Sequence, residues 1–116
     1  MAENDDAVRR TLALAAEQLD MDVAVLDEVT RDEEIVRFSA GDTRAMGIAE
    51  GAPAPRPLVR AQIRIVLSPR DARHFVLCCL SRQREAKLGK REVAFLDGIA
   101  ESLRSQLQAQ PALSWG

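Results

Sequence analysis

The sequence predicts an α+β domain, in which an antiparallel sheet of four to five strands carries the N- and C-terminal helices on one face. Apolar residues recur at helical spacing at both ends of the chain. Two pairs of short apolar segments lie between these ends, and a polar turn joins the members of each pair. Because strands joined by short turns pair in antiparallel fashion, both helices are free to cover one side of the sheet.

The N-terminal helix is predicted from about residue 5 to residue 19. Its start is marked by Asn4, Asp5 and Asp6, since capping and acidic side chains are favoured at the positive end of a helix dipole. One apolar stripe follows, with members three and four residues apart: Val8, Leu12, Ala15 and Leu19. This stripe predicts an amphipathic helix that buries one side.

The first hairpin is predicted from two segments that follow this helix. Residues 23–26 form a short apolar run that includes β-branched side chains, and residues 34–38 alternate in polarity. The polar residues 30–33 lie between them and are typical of a turn.

The connection that follows, residues 41–58, is predicted to contain no regular element. It combines three glycines with three prolines, a density that interrupts helices and strands alike: Gly41, Gly47, Gly51, Pro53, Pro55 and Pro57. A loop of this length in a compact domain is commonly functional or mobile.

The second hairpin is predicted from residues 59–67 and 75–80. In the first of these strands the apolar side chains share one face, whereas Arg60, Gln62 and Arg64 share the other, wet face. The second strand is apolar on both faces, which favours a central position in the sheet. The wet face must therefore meet solvent, the 41–58 loop or a ligand.

The C-terminal helix is predicted from about residue 90 to residue 109, with Gly89 as N-cap and Glu92 as the acidic half of a capping box. Its stripe consists of Val93, Leu96, Ile99 or Ala100, Leu103 and Leu107. Gly98 interrupts the helix at a cost of about 1 kcal/mol relative to alanine. Either another helix approaches closely at Gly98, or the helix tolerates an imperfect residue there.

Cysteine and histidine chemistry is limited in this chain. Cys78 and Cys79 are adjacent on a strand, so their side chains point to opposite faces and do not form one disulfide. They are interpreted as buried small side chains in a reducing compartment, with a thiol sensor as the functional alternative. His74 is expected at a strand start, partly solvated. No metal-ligand set, carboxylate pair or nucleophile–base spacing is apparent, and no enzyme activity, metal or cofactor is predicted.

Composition narrows the function classes further. The 116 residues predict a single domain, with a core from about 5 to 109 and a tail at 110–116. A formal charge of −2 and an aromatic content of 3% argue against nucleic-acid binding. The absence of a long apolar run and of a signal peptide predicts a cytoplasmic protein with no membrane association.

Several segments resemble bacterial GAF domains. Residues 75–82 are similar to the family's "G-T-L-C-C-L-S" strand, residues 88–96 to its final helix, and residues 19–26 to its opening "L-g-m-d-v-a-x-l" strand. The family's glycine series after the second strand is matched by Gly41-Asp42, Gly47 and Gly51. The resemblance implies a GAF/PAS-like sheet in a signalling protein. The helical lid of the family is missing, as are its "N-K-F-D-E" signature and its bilin-attaching cysteine, which implies a reduced or absent ligand pocket.

The primary hypothesis is therefore a non-catalytic GAF-like regulatory module that forms a homodimer through its terminal helices, with a signalling protein as a further partner. The interface is predicted to contain residues of both stripes and the helix glycine: Leu12, Ala16, Leu96, Gly98, Ile99, Leu103 and Leu107.

The alternative hypothesis is a small-molecule sensor. Its ligand, of anionic character, would bind on the wet sheet face under the 41–58 loop. The residues assigned to this site are Arg37, Phe38, Arg60, Gln62 and Arg64.

Overall fold

The structure, a computed structural model, describes residues 2–54, 61–67, 74–82 and 89–108. Its elements, in chain order, are α1 (Ala2–Gln18), β1 (Val23–Val29), β2 (Glu34–Gly41), a short 3-10 helix (Arg44–Met46), β3 (Ala61–Leu67), β4 (His74–Ser81) and α2 (Lys90–Gln108). The α+β prediction is confirmed: the described strands form one four-stranded antiparallel sheet, flanked in sequence by the two helices.

The strand order is β2-β1-β4-β3, and every neighbouring pair is antiparallel. The two hairpins therefore join through β1 and β4, which become the central strands. The central position predicted for β4 is confirmed, because Phe75 to Ser81 are buried without interruption. The alternation of side chains along β4 sends Phe75, Leu77 and Cys79 to one face of the sheet and Val76, Cys78 and Leu80 to the other.

Both helices pack on the first of these faces, here called the helix face, as predicted. The main core lies there and combines the buried side of α1, the buried side of α2 and the inward residues of all four strands. A side-chain contact ties the helices together, since the Gln106 amide donates to the Thr11 hydroxyl at 3.0 Å. The helix ends lie close to their predicted positions, and α2 begins with the predicted half capping box, in which the Gly89 amide donates to Glu92 Oε1 at 2.9 Å.

The opposite face, here called the second face, carries a smaller core. Met46 and Ile48, from the connection after β2, are buried there against the outward residues of β1, β2 and β4. The prediction of a connection without regular structure is therefore wrong for its first half, which contains the 3-10 helix. The physical reason is that β1 and β4 are apolar on both faces, so part of this connection is needed to exclude water from the second face.

Residues 51–54 also pair with the free edge of β2. The Val36 amide donates to the Ala52 carbonyl at 3.0 Å, the Gly51 amide to the Val36 carbonyl at 2.7 Å, and the Ala54 amide to the Glu34 carbonyl at 2.7 Å. Pro53 forms an isolated bridge with Ile35. This pairing satisfies backbone groups that an edge strand otherwise leaves open.

Glycine is required at Gly41, where the chain turns with φ at +100° against the start of β1. A Cβ atom at this position would overlap the Asp22 carbonyl oxygen, which also accepts a hydrogen bond from the Asp42 amide at 3.0 Å. Gly98 is the opposite case: it lies in α2 with no atom within 4 Å of a Cβ built there.

We predict that alanine has opposite effects at these two glycines. Gly41→Ala combines a left-handed backbone with a steric overlap, so it should lower the free energy of unfolding by about 2 kcal/mol or more. Gly98→Ala should raise it by about 0.5–1 kcal/mol, because alanine loses less backbone entropy in a helix. Urea unfolding followed by circular dichroism measures both. Equal effects of the two substitutions would contradict these assignments.

Candidate functional site

Four polar residues meet on the second face, one from each strand: Asp27 of β1, Glu34 of β2, Arg64 of β3 and Cys78 of β4. We call this group the second-face cluster. It lies on the same side of the sheet as the apolar core formed by Met46 and Ile48, and Cys78 belongs to both.

Strand register explains why these residues meet. On β1, Asp27 follows Val23 and Val25 at two-residue spacing, so it shares their face. Cys78 lies opposite Val25 on one side and opposite Arg64 on the other. Three strands therefore place adjacent side chains in a row across the sheet.

A β-bulge between β1 and β2 changes the side on which β2 residues point. Leu26 pairs with Phe38 and Asp27 pairs with Val36, so Arg37 is the extra residue. Before the bulge Val36 faces the second face, and after it Phe38 faces the helix face.

Two of the expected ligand-binding residues, Arg37 and Phe38, lie away from the second-face cluster. Phe38 is buried in the main core, and the Arg9 guanidinium lies 5.4 Å from its ring centre. Arg37 donates a hydrogen bond to Glu28 at 2.8 Å. Glu28 lies two residues after Leu26 on β1, so its side chain shares the helix face with Leu26. Neither residue joins the second-face cluster.

The other expected ligand-binding residues have separate outcomes. Arg64 belongs to the cluster, and Gln62 is exposed on the same strand. Arg60 lies outside the described residues.

The Arg64–Glu34 ion pair bridges the sheet from one edge strand to the other. Two nitrogens of the Arg64 guanidinium donate to the two carboxylate oxygens of Glu34, at 3.0 and 3.3 Å. The same guanidinium contacts the Cys78 sulfur at 3.5 Å. The hydrogen bonds that Arg64 donates to Glu34 hold the pKa of Arg64 above its usual value. Because Glu34 already neutralises Arg64, the expected preference of this face for anions loses its basis.

Asp27 lies beneath this pair, with only 2% of its surface exposed. Burial, a hydrogen bond with Glu34 and the charge of Glu34 together raise the pKa of its carboxyl to about 7, and the charge of Arg64 opposes the shift. Within the described part of the chain, the Oδ1 atom of Asp27 has no hydrogen-bond partner. A buried carboxyl oxygen without a donor is costly, so the cluster is incomplete at this atom.

The two cysteines are free, buried and separated by the sheet, as predicted. Burial raises the pKa of Cys79 to about 12 on the helix face. Burial, assisted by the charge of Asp27, does the same for Cys78 on the second face. A thiol held in its protonated form is a poor nucleophile, which disfavours the thiol-sensor alternative. His74 begins β4 and is exposed, as expected.

The predicted dimer-interface residues have a different role in the structure. Six of the seven are buried in the main core, with at most 5% of their surface exposed: Leu12, Ala16, Leu96, Ile99, Leu103 and Leu107. They pack against the sheet of their own chain, which leaves little of their surface for contact with a second copy. Gly98 is exposed on the outer side of α2.

Comparison with known proteins shows a similarity in fold. No family model matches the chain, and no curated protein matches it. Among solved structures, it is similar to the GAF domain of a protein assigned as a sensor histidine kinase from Pseudomonas syringae pv. tomato. The TM-score is 0.60 at 15% sequence identity, and the match covers 90% of this chain and 75% of that one. This chain has the GAF fold.

The GAF fold confirms the architecture that the sequence resemblance implied. Within the described ranges, no helix is long and apolar enough to cross a bilayer.

The sequence analysis missed most of the second-face cluster and predicted no set of metal ligands. The structure brings ligand atoms of Asp27, Glu34 and Cys78 within 4.8 Å of one another. One signal was available, because Asp27 continues the alternation of Val23 and Val25 and therefore places a carboxylate on a buried face. Glu34 shares the face of Asp27 through the register of the first hairpin, in which Asp27 pairs with Val36 and Val29 pairs with Glu34.

We predict that Asp27 makes stability fall as pH rises from about 4 to about 7. The folded state keeps its carboxyl protonated up to about pH 7, whereas the unfolded chain ionises near its usual pKa of 3.8. The contribution is complete below pH 4 and is lost as pH passes through 7. Asp27→Asn mimics the protonated acid, so its unfolding free energy should decline less over this range.

Urea unfolding of both proteins at several pH values, in buffer treated to remove metal ions, measures the difference. Glu34, Arg64 and Cys78 surround Asp27 and are unchanged in the variant, so they cancel in the comparison to first order. Parallel curves for the two proteins would show that Asp27 does not titrate in this way.

Proposed function

We propose that this chain is a non-catalytic regulatory module that binds a small ligand at the second-face cluster. One observation carries the proposal: a carboxyl that is 98% buried keeps an unpartnered oxygen within the described residues, on the sheet face opposite the helices. The complementary ligand supplies a hydrogen-bond donor or a positive charge, because Arg64 is already paired with Glu34.

The GAF fold supports a regulatory function, since the similar solved structure comes from a protein assigned as a sensor kinase. The state of the cluster supports a non-catalytic one. Burial raises the pKa of Cys78 to about 12, so its thiol stays protonated and is a weak nucleophile at neutral pH.

The connection at 41–54 supplies a route from the ligand to the protein surface. The Glu34 carbonyl accepts the Ala54 amide at 2.7 Å, while the Glu34 side chain belongs to the cluster. Two further contacts fasten the same connection to the domain: Glu50 binds the Arg9 guanidinium at 2.8 Å, and Arg82 donates to the Ala45 carbonyl at 3.2 Å. A ligand that moves Glu34 therefore acts on the connection, which these polar contacts and the buried Met46 and Ile48 hold on the second face.

A thermal-shift screen tests this function. The set should contain alkylamines, guanidines, purine nucleosides and organic acids, and we expect the donors and cations to raise the Tm. A ligand at about 100 times its Kd adds about 2.7 kcal/mol of stability. The shift should disappear in Asp27→Asn and persist in Cys79→Ala, which alters the helix face only. A set without any stabilising compound, or a shift that survives Asp27→Asn, would refute the assignment.

We also propose that two copies associate through the outer sides of α1 and α2. The observation that favours this is the exposure of apolar and small side chains on these helices. Leu14 and Val93 expose 45% and 48% of their surfaces, and Ala94, Gly98 and Ser105 are exposed along α2. Small residues allow close approach of helices, so the outer sides replace the buried stripes as the candidate interface.

Light scattering of the purified chain at tens of micromolar should then give twice the mass of a single chain. Gly98→Leu should give the mass of one chain, because a bulky side chain would separate the two helix layers. Gly98→Ala is the matched control and should stay dimeric. Both substitutions improve helix propensity, so neither should unfold the monomer. A single-chain mass for the unaltered protein would rule out the dimer.

A further inference from the structure

We propose that Asp27, Glu34 and Cys78 bind one divalent transition-metal ion with affinity for sulfur, of the Zn²⁺ or Co²⁺ type. This inference rests on the proposed function, because it names the ligand of the same face. It adds a chemical class, a set of ligand atoms and a role for Arg64.

The geometry comes from three different strands. The candidate ligand atoms are a carboxylate oxygen of Asp27 on β1, a carboxylate oxygen of Glu34 on β2 and the sulfur of Cys78 on β4, all within 4.8 Å of one another. Two atoms bound to one tetrahedral zinc ion at about 2.0–2.3 Å are separated by about 3.3–3.8 Å. The three ligand atoms must therefore move together by up to about 1.5 Å to bind one ion.

A second observation, independent of this spacing, points to a ligand. Asp27 is buried to 98%, and its Oδ1 atom has no hydrogen-bond partner among the described residues. An acidic cluster at the surface is satisfied by water, whereas a buried carboxyl oxygen needs a donor or a cation. A metal ion between the three side chains supplies that cation.

The donor set selects the kind of metal. Calcium and magnesium prefer sites made entirely of oxygen ligands, so a thiolate disfavours them. One sulfur with two carboxylates suits a borderline ion such as zinc, which accepts both donor types and leaves one position for a further ligand. That open position is where a small molecule would reach the metal.

Charge balance also fits a divalent ion. With all three acids deprotonated, the side chains of Asp27, Glu34 and Cys78 carry three negative charges. An ion of charge +2 offsets two of them, more than the single charge of Arg64 does. Protons held by the carboxyl and the thiol leave as the metal binds, so the exchange conserves charge.

Arg64 occupies the cation position in the structure. Its Nη1 atom lies 3.3 Å from Glu34 and 3.5 Å from the Cys78 sulfur. The side chain is 45% exposed and comes from an edge strand, so it can withdraw toward solvent while a metal takes its place. Arg64 is therefore a competitor that sets the affinity, and its removal should strengthen metal binding.

Titration with Co²⁺ tests the site, because a cobalt–thiolate bond produces a charge-transfer absorption band in the near ultraviolet. We expect one equivalent of Co²⁺ to produce this band in the unaltered protein, and Zn²⁺ to remove it by competition. Cys78→Ala should abolish the band, whereas Cys79→Ala, the adjacent thiol on the helix face, should retain it. Asp27→Asn should weaken Co²⁺ binding at least tenfold, and Arg64→Gln should strengthen it.

The unaltered protein alone can overturn the proposal, by showing no thiolate band with Co²⁺ in excess. A band that persists in Cys78→Ala, or that weakens in Arg64→Gln, would overturn it as well. Circular dichroism of each variant shows that it is folded. The two proposals have distinguishable outcomes. If Co²⁺ does not bind but an amine raises the Tm in an Asp27-dependent way, the proposed function stands without the metal. If neither Co²⁺ nor an amine binds, the second-face cluster is not a ligand site.

Discussion

The two central strands, β1 and β4, are apolar on both faces, and the remainder of the structure depends on how each face is covered. The terminal helices cover one face with a continuous core. Among the described residues, the connection after β2 covers the opposite face, where Met46 and Ile48 pack on the apolar residues of the central strands. Beside them the sheet carries Asp27, Cys78 and the Arg64–Glu34 pair in place of apolar side chains. The second layer is thus part apolar and part polar.

The β-bulge opposite Leu26 and Asp27 allows β2 to serve both layers. Without the extra residue at Arg37, Val36 and Phe38 would point to the same side, because alternate strand residues share a face. With it, Val36 joins the second-face core and Phe38 the main core. Glu34 and Asp27 both lie on the turn side of the bulge, where regular alternation places them on the same face. The inserted residue therefore determines which apolar side chains of β2 join each core.

The sequence predicted what is local and missed what depends on distant pairing. Both helices and all four strands follow from periodicity and turn residues, as does the cap at Gly89. The apolar stripes of α1, which includes Leu12, and of α2, which includes Leu103, are buried as expected. Periodicity does not distinguish burial against a sheet from burial against a second copy. Phe38 was expected on the second face, because no sequence pattern in residues 34–41 indicates the bulge that turns it to the helix face. The cluster needed the strand order β2-β1-β4-β3, which brings residues far apart in sequence to one row.

The buried carboxyl of Asp27 favours a bound ion on the second face. In a fully solvated groove Asp27 would ionise at its usual pKa and be satisfied by water, and in a fully apolar core a leucine would serve better. The structure holds the carboxyl between these limits, buried to 98% and paired on one oxygen only. Arg64 stabilises the cluster from an exposed position without reaching that oxygen, since its recorded contacts go to Glu34 and Cys78. The Oδ1 atom of Asp27 therefore still needs one donor or cation, and Glu34 lies beside it. The Glu34 carbonyl also accepts the Ala54 amide. A cation that satisfies the Oδ1 atom must draw Glu34 toward Asp27, and the connection over the second face is the part of the fold attached to that movement.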